Sequence, residues 1–180
     1  MNSVVKGFLP ALTSNSPNKL VAELYEQKSM TPFIFRAEQY VPRPLPEVFD
    51  FFSKAENLQQ LTPSWLHFHI LEVNPSPVRK GTLIRYSLRW RVFPIRWTTE
   101  ITEWDPPQRF VDVQLKGPYK LWHHEHRFTA EANGTRITDE VQYALPFGPF
   151  GSIAHQLKVK KDVETIFEYR REAVEGIFGK

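Results

Sequence analysis

Residues 65–145 carry a succession of strand-like segments in which apolar and polar side chains alternate, and this restricts the fold more than any other feature of the sequence. A period of two is typical of β-strands that bury one face. Six strands are predicted in this region: 65–73, 81–92, 95–104, 108–116, 119–132 and 135–145. With an earlier strand at 32–41 they make seven, and tight turns such as Asn133-Gly134 indicate antiparallel neighbours.

Helical patterns occur on either side of this strand-rich region. Pro46 suits the first turn of a short helix in which Val48, Phe49 and Phe52 share one face. A second short helix is predicted at 55–61, where it ends before a proline. Two short helices therefore separate the first strand from the rest.

A long helix is predicted after the Pro/Gly-rich sequence "PFGPFG" at 146–151, with Ser152 as its N-cap. Its apolar positions recur at helical spacing: Val159, Val163, Ile166, Val174 and Ile177. A helix of about 26 residues is roughly 40 Å long, enough to cross a whole sheet. The order of elements predicts an α+β domain in which one sheet packs against one helix.

The chain of 180 residues suits one domain at 32–180, preceded by a peripheral arm at 1–31 with a short helix. The sequence has no cysteine, which excludes a disulfide scaffold, a thiol nucleophile and a cysteine-based metal site. No apolar run approaches the roughly 20 residues of a membrane span, and the N-terminal sequence does not fit a signal peptide. A cytoplasmic location without integral membrane association is therefore expected.

The order of elements resembles the START-like, Bet v 1-like superfamily, which includes the polyketide cyclase/dehydrase and lipid-transport group. The resemblance covers about residues 32–178 and is carried by "PLPEVFDFFSKAENLQQLTP", "GTLIRYSL", "ITEWDPPQRFVDVQLKGPY", "WHHEHRF", "DEVQYALPFG" and "IFEYRRE". It implies a helix-grip fold, in which a curved seven-stranded antiparallel sheet wraps a long C-terminal helix around a ligand cavity. The segments are most similar to small bacterial ligand-binding members of the SRPBCC type.

The histidine-rich segment "WHHEHRF" belongs to a predicted strand, so its side chains alternate between two faces. The more aromatic set is predicted to face the helix: Trp122, His124, His126 and Phe128. His123 and Glu125 then face outward, which separates the three neighbouring histidines. A metal site that combines His123 with His124 is therefore not expected.

Turn residues predict which side chains lie opposite each other. A turn at Asn133-Gly134 pairs Phe128 with Asp139, His126 with Val141, and His124 with Tyr143. A turn at Phe93-Pro94 pairs Trp90 with Trp97, Leu88 with Thr99, and Tyr86 with Ile101. Both hairpins present aromatic side chains to the inner face of the sheet.

The candidate ligand-binding residues combine aromatic walls with a few polar groups, as small-molecule pockets do. They are Tyr86, Trp90, Trp97, Trp122, His124, His126, Phe128, Val141, Tyr143, Phe147 and Phe150. Phe147 and Phe150 belong to "PFGPFG", which is expected to border the cavity and to act as a gate. The alternative is a filled core in which histidine and aspartate simply bond each other.

Two chemistries are open to the inner histidines. His124 and His126 have the spacing of a strand-borne metal pair, but no third inward ligand is evident, and His67 and His69 are expected to point outward. No metal and no cofactor are therefore predicted. If the protein is an enzyme, His126 is the candidate general base, with Asp139 diagonally across the hairpin to orient it.

The favoured function is to bind or carry a hydrophobic or aromatic small molecule, lipid-like or polyketide-like, without catalysis. The first alternative is a cyclase or dehydratase that acts on a polyketide-like substrate in the same cavity. The second is a partner-binding module that uses the arginine-rich outer face of the sheet. Nucleic acid is not an expected partner, and Lys158, Lys160 and Lys161 allow transient contact with a membrane surface.

Overall fold

The computed structural model describes residues 31–146 and 158–179. Nearly all of the predicted arm at 1–31 lies outside these ranges. The predicted cap Ser152 and the predicted gate residues Phe147 and Phe150 lie outside them as well. None of the helices in the described ranges is long and apolar enough to cross a membrane.

Seven antiparallel strands form one curved sheet. They are β1 (Phe33–Val41), β2 (His69–Asn74), β3 (Leu83–Trp90), β4 (Phe93–Asp105), β5 (Arg109–Lys116), β6 (Leu121–Glu131) and β7 (Gly134–Ala144). The order across the sheet is β1-β7-β6-β5-β4-β3-β2. Strands β2 to β7 are thus a continuous meander, and β1 pairs with β7, which confirms the predicted seven-stranded sheet.

Within residues 31–146 and 158–179, two α-helices pack with this sheet. Helix α1 (Leu45–Phe52) has a proline in its first turn and buries Val48, Phe49 and Phe52, as predicted. The described part of the long C-terminal helix, α2, spans Lys160–Phe178. The short helix predicted at 55–61 is a 3-10 helix over Ala55–Gln59. The arrangement confirms the expected helix-grip fold.

The strand predicted at 65–73 begins only at His69. Ser64–Leu66 form a 3-10 helix, which ends at His67 in the left-handed conformation with φ of 45°. Phe68 is buried, whereas His67 and His69 are exposed. The alternation of apolar and polar side chains therefore continues through a turn, where it does not indicate a strand.

The β6–β7 turn lies one residue earlier than predicted, and Gly134 is the first residue of β7. The observed pairs are His124–Val141, His126–Asp139 and Phe128–Ile137. Gly134 is required within the strand because β1 passes close to it. A Cβ at this position would lie 2.2 Å from the carbonyl oxygen of Val41. The pairing shifts by two residues, so every side chain keeps its predicted face.

The β3–β4 turn is also earlier than predicted, at Arg91 and Val92, where Arg91 has a φ of 56°. The observed pairs are Tyr86–Trp97, Leu88–Ile95 and Trp90–Phe93. Pro94 is tolerated inside β4 because β5 pairs with β4 only from Thr98 onward. One edge of β4 is therefore unpaired at the proline, which has no N–H to donate.

Aromatic side chains join the helices to the inner face of the sheet. The Phe49 ring lies 5.4 to 6.1 Å, between centroids, from the rings of Trp104, Phe110 and Phe128. A second cluster joins Val141 and Tyr143 of the sheet to Val163 and Phe167 of α2. These contacts hold α2 across the sheet and define the walls of an internal cavity.

Candidate functional site

A cavity of about 210 Å³ lies between the inner face of the sheet, α1 and α2. Its aromatic wall is continuous. Tyr86 and Trp97 are nearly parallel, with ring centroids 5.8 Å apart, and Trp122 stands edge-on to Trp97 at 5.5 Å. Tyr119 lies 4.8 Å from Trp122 and continues the wall toward α2.

Five of the predicted ligand-binding residues line this cavity: Tyr86, Trp97, Trp122, His124 and His126. Each lies on a strand and points to the inner face. Alternation along β3, β4 and β6 placed them correctly even though the hairpin registers differed from expectation. The aromatic part of the predicted site is thus assembled from three strands that are distant in sequence.

Four other predicted residues do not line the cavity. Phe128, with 2% of its surface exposed, packs between Phe49 and other core rings. Val141 and Tyr143 belong to the cluster under α2. Trp90 donates a hydrogen bond from Nε1 to Oδ2 of Asp162 at 3.1 Å and so links β3 to α2. Phe128, Val141 and Tyr143 are therefore buried among other protein groups, and Trp90 is half-buried beside α2.

A buried polar network occupies one corner of the cavity. The Nε2 atom of His124 lies 2.9 Å from Oδ1 of Asp139, and its Nδ1 lies 3.4 Å from Oδ2 of Asp112. The Nε2 atom of His126 lies 3.1 Å from the same Asp112 oxygen. The Nδ1 atom of His126 is 2.8 Å from Oδ1 of Asp139, yet it does not reach hydrogen-bonding geometry. Two carboxylates therefore enclose two adjacent imidazoles.

The two imidazoles differ in their affinity for a proton. Burial lowers the pKa of His124, and the neighbouring charge of His126 lowers it further. Burial also acts to lower the pKa of His126, but the hydrogen bond with Asp112 and the negative charge of the adjacent Asp139 outweigh this effect and raise it. His126 is thus the more basic of the two imidazoles, and only one proton is held readily by the pair.

Arg170 of α2 supplies the positive charge of this corner. Its guanidinium lies over the rings of Phe52 and Phe167, 5.3 and 5.8 Å from their centroids. Burial alone would raise the pKa of Asp139, but the charge of Arg170 and the hydrogen bond with His124 hold it well below its usual value. Asp139 is therefore an anion throughout the neutral range.

Asp112 and Arg170 were not among the predicted site residues. Asp112 lies on β5, where its neighbours Val111 and Val113 and the inward Phe110 are all buried, so the apolar pattern did not show which face the aspartate occupies. A signal for Arg170 was present. It follows Phe167 by three residues and precedes Val174 by four, a spacing that puts all three on one face of a helix.

A helix-grip domain with an internal aromatic cavity and one charged corner is the class of protein that this fold and site define. The family model for polyketide cyclase / dehydrase and lipid transport matches residues 41–164. The chain therefore belongs to this family, which confirms the expected START-like, Bet v 1-like superfamily. None of the curated proteins matches it.

Solved structures share the fold at low sequence identity. TTHA0849 from Thermus thermophilus is 24% identical, with a TM-score of 0.58 over 81% of this chain and 99% of that one. CV1439 from Chromobacterium violaceum is 12% identical, with a TM-score of 0.65 over 83% and 99%. A norcoclaurine synthase point mutant from Thalictrum flavum, in complex with a transition-state analogue, is 14% identical, with a TM-score of 0.60 over 82% and 97%.

Proposed function

We propose that the protein binds one compact, largely aromatic small molecule in the internal cavity. The observation that carries this proposal is the continuous wall of Tyr86, Trp97, Tyr119 and Trp122 beside a polar corner. Aromatic walls give affinity through burial of apolar surface, and a few polar groups fix the orientation of the ligand.

The size of the cavity favours a ligand of one or two rings. About 210 Å³ is below the roughly 300–1,000 Å³ of pockets that hold drug-sized ligands. A polyketide-like fragment or another small aromatic compound fits this volume better than a long-chain lipid. The sequence suggested hydrophobic molecules in general, and the cavity volume narrows this class to small aromatic ligands.

The polar corner favours a ligand that carries an oxygen. Arg170 and the protonated form of His126 can donate hydrogen bonds to a carbonyl, phenolate or carboxylate oxygen, and Asp112 can accept one from a hydroxyl group. All three side chains line the cavity. A two-ring ligand with one oxygen substituent therefore satisfies both parts of the cavity.

Calorimetric titration with 2-naphthol, 2-naphthoate and palmitate tests this proposal. The variant Ile166→Phe fills the cavity from α2, and Thr165→Phe adds the same ring on the exposed side of that helix. Binding of the two-ring probes should weaken about tenfold or more in Ile166→Phe and stay unchanged in Thr165→Phe. Absence of two-ring binding, or binding of palmitate alone, would refute the proposed ligand class.

A second candidate function is acid–base catalysis, as in a cyclase or dehydratase. It is favoured by His126, an imidazole with raised pKa that lines the cavity between two carboxylates. Such a base can take a proton from a carbon next to a carbonyl group, the first step of an aldol cyclisation. Tyr86, also in the lining, can donate a hydrogen bond to the resulting enolate.

Proton exchange of 2-tetralone in deuterated water separates the enzyme from the carrier. An enzyme should accelerate deuterium uptake next to the carbonyl, and His126→Gln should reduce that rate by about 10²–10⁴-fold while the ketone still binds. A carrier should bind 2-tetralone without accelerating exchange. His123→Gln serves as the control, because it makes the same substitution at a histidine on the other face of β6.

A further inference from the structure

Three side chains of the polar corner are arranged as metal ligands are. Asp112, His124 and His126 each offer one ligand atom within 4.8 Å of the other two. The Oδ2 atom of Asp112 is 3.4 Å from Nδ1 of His124 and 3.1 Å from Nε2 of His126. Ligands placed tetrahedrally at about 2.0–2.1 Å from zinc are about 3.3–3.4 Å apart. The two separations from Asp112 thus already approximate edges of a tetrahedral site, and the two imidazole ligand atoms lie within 4.8 Å of each other.

We propose that Asp112, His124 and His126 bind one divalent transition-metal ion, with zinc as the best fit. Two imidazoles and one carboxylate favour zinc or a neighbouring transition metal over magnesium and calcium, which prefer oxygen ligands. Asp112 of β5 lies directly opposite His124 of β6, and His126 lies two residues further along β6 on the same face. The ligand set is therefore fixed by sheet register.

Asp139 occupies the position of an outer-shell carboxylate. Its Oδ1 lies 2.9 Å from Nε2 of His124 and 2.8 Å from Nδ1 of His126, on the far side of each ring from Asp112. Metal-bound histidines commonly turn their second nitrogen toward a carboxylate, which fixes the ring and makes it a better ligand. Each imidazole thus lies between Asp112, which can bind the metal ion beside it, and Asp139, which lies next to its other nitrogen.

The charges of this corner also accommodate a cation. The corner holds the two carboxylates of Asp112 and Asp139, and the positive charge of Arg170 acts to lower the pKa of both. Metal binding requires both imidazoles to be neutral, which leaves one negative charge in the buried corner for a divalent ion to balance. A bound divalent ion reverses this deficit and attracts an anionic group from the cavity.

All three ligand residues belong to the cavity lining, so a fourth coordination position would be reached from the cavity. Three protein ligands with an open fourth position are typical of zinc sites that bind water or a substrate oxygen, whereas structural sites are closed. The oxygen substituent of a bound ligand can reach this position. Metal binding itself, however, does not depend on the proposed ligand.

Zinc titration of metal-free protein tests the site. The full chain, without an affinity tag, is treated with a chelator and titrated with Zn²⁺ by calorimetry, and bound metal is counted by elemental analysis after gel filtration. One zinc per chain is expected. Asp112→Asn, His124→Gln and His126→Gln should each lose stoichiometric zinc, and Asp139→Asn should bind it about 10–100-fold more weakly.

Two controls distinguish this site from surface binding. The double variant His67→Gln/His69→Gln removes an exposed histidine pair and should retain one zinc per chain. On the wild-type protein, ¹⁵N-detected histidine spectra should show zinc-dependent shifts at two of the six imidazoles. This measurement needs no variant of the site to fold.

The proposal is overturned if zinc does not bind stoichiometrically, or if binding disappears in the His67/His69 double variant. Zinc-dependent shifts at fewer than two imidazoles would also overturn the proposal, because His124 and His126 would then not both bind zinc. A proton alone would in that case balance the charge of the network. Ligand binding is measured separately, by repeating the titration with 2-naphthol on the chelator-treated protein. Failure of the metal site and failure of the cavity are thus told apart.

Discussion

The substitution Asp139→Asn probes how strongly the buried network stabilises the fold. It keeps the size and shape of the side chain and removes its charge. Asp139 is 6% exposed, and its Oδ1 contacts both imidazoles, at 2.9 and 2.8 Å. The change therefore tests electrostatics without creating a cavity.

The expected loss is about 3 kcal/mol of unfolding free energy. A hydrogen bond to a charged group contributes about 1.5–3 kcal/mol, and removal of one partner from a buried ion pair costs about 3–5 kcal/mol. The amide oxygen of asparagine can still accept one bond from His124, so the lower end of this range is expected. Against a typical domain stability of roughly 5–15 kcal/mol, the effect is large.

Urea unfolding monitored by tryptophan fluorescence at neutral pH, with chelator present, measures this loss. Glu140→Gln is the matched control, because Glu140 is the next residue on the outer face of β7 and pairs with Arg36 at 2.8 Å in a partly exposed position. Its loss should cost at most about 1 kcal/mol. If Asp139→Asn costs no more than Glu140→Gln, the network does not stabilise the fold and the electrostatic reasoning is wrong.

Three further predictions concern packing and are measured by the same unfolding assay. Gly134→Ala should lower the unfolding free energy by about 1–3 kcal/mol, because the added Cβ meets the Val41 carbonyl oxygen. Its control, Gly176→Ala on α2, places a Cβ with nothing within 4 Å and should raise the unfolding free energy by about 0.5–1 kcal/mol. Equal effects of the two substitutions would refute the close approach of β1 to Gly134. Phe128→Leu should cost about 1–3 kcal/mol without changing the calorimetric affinity for 2-naphthol, and a loss of affinity would return Phe128 to the ligand site. Trp90→Phe should cost about 0.5–1.5 kcal/mol through its bond to Asp162, and a neutral result would remove this link between β3 and α2.

The inner face of the sheet could be predicted from the sequence because side-chain alternation does not depend on register. The two hairpins pair differently from expectation, yet Trp97, His124 and His126 lie on the predicted face. Pairing that shifts by an even number of residues leaves the faces as they are. Side-chain orientation was therefore predictable, whereas the partner of each side chain was not.

The hairpin registers depended on contacts that the local sequence does not contain. Asn133-Gly134 is a strong turn signal, but the glycine is required because the β1 backbone lies against it where β1 pairs with β7. These two segments are more than ninety residues apart in the sequence. The direct pairing of His126 with Asp139 follows from that contact. Long-range packing thus decided the geometry of the candidate site.

Asp112 was not predicted because the rule that apolar side chains face inward fails on β5. Both faces of that strand are buried, since Val111 is 0% exposed and Phe110 is 6% exposed. A strand buried on both faces carries no alternation from which to choose the inner side. The pairing of Asp112 with His124 across β5 and β6 identifies its direction.

The aromatic wall and the charged corner make separable contributions to binding, which naphthalene and 2-naphthol can distinguish. Both compounds bury nearly the same apolar surface against Trp97 and Trp122, which contributes affinity in any orientation. Only 2-naphthol can replace the water that solvates Asp112, His126 and Arg170, because a hydrocarbon excludes that water and offers these groups no hydrogen bond in return. We therefore expect naphthalene to bind at least about tenfold more weakly in competition calorimetry. Equal affinities would mean that the ligand does not reach the corner, and the histidine–aspartate network would then stabilise the fold without contributing to recognition.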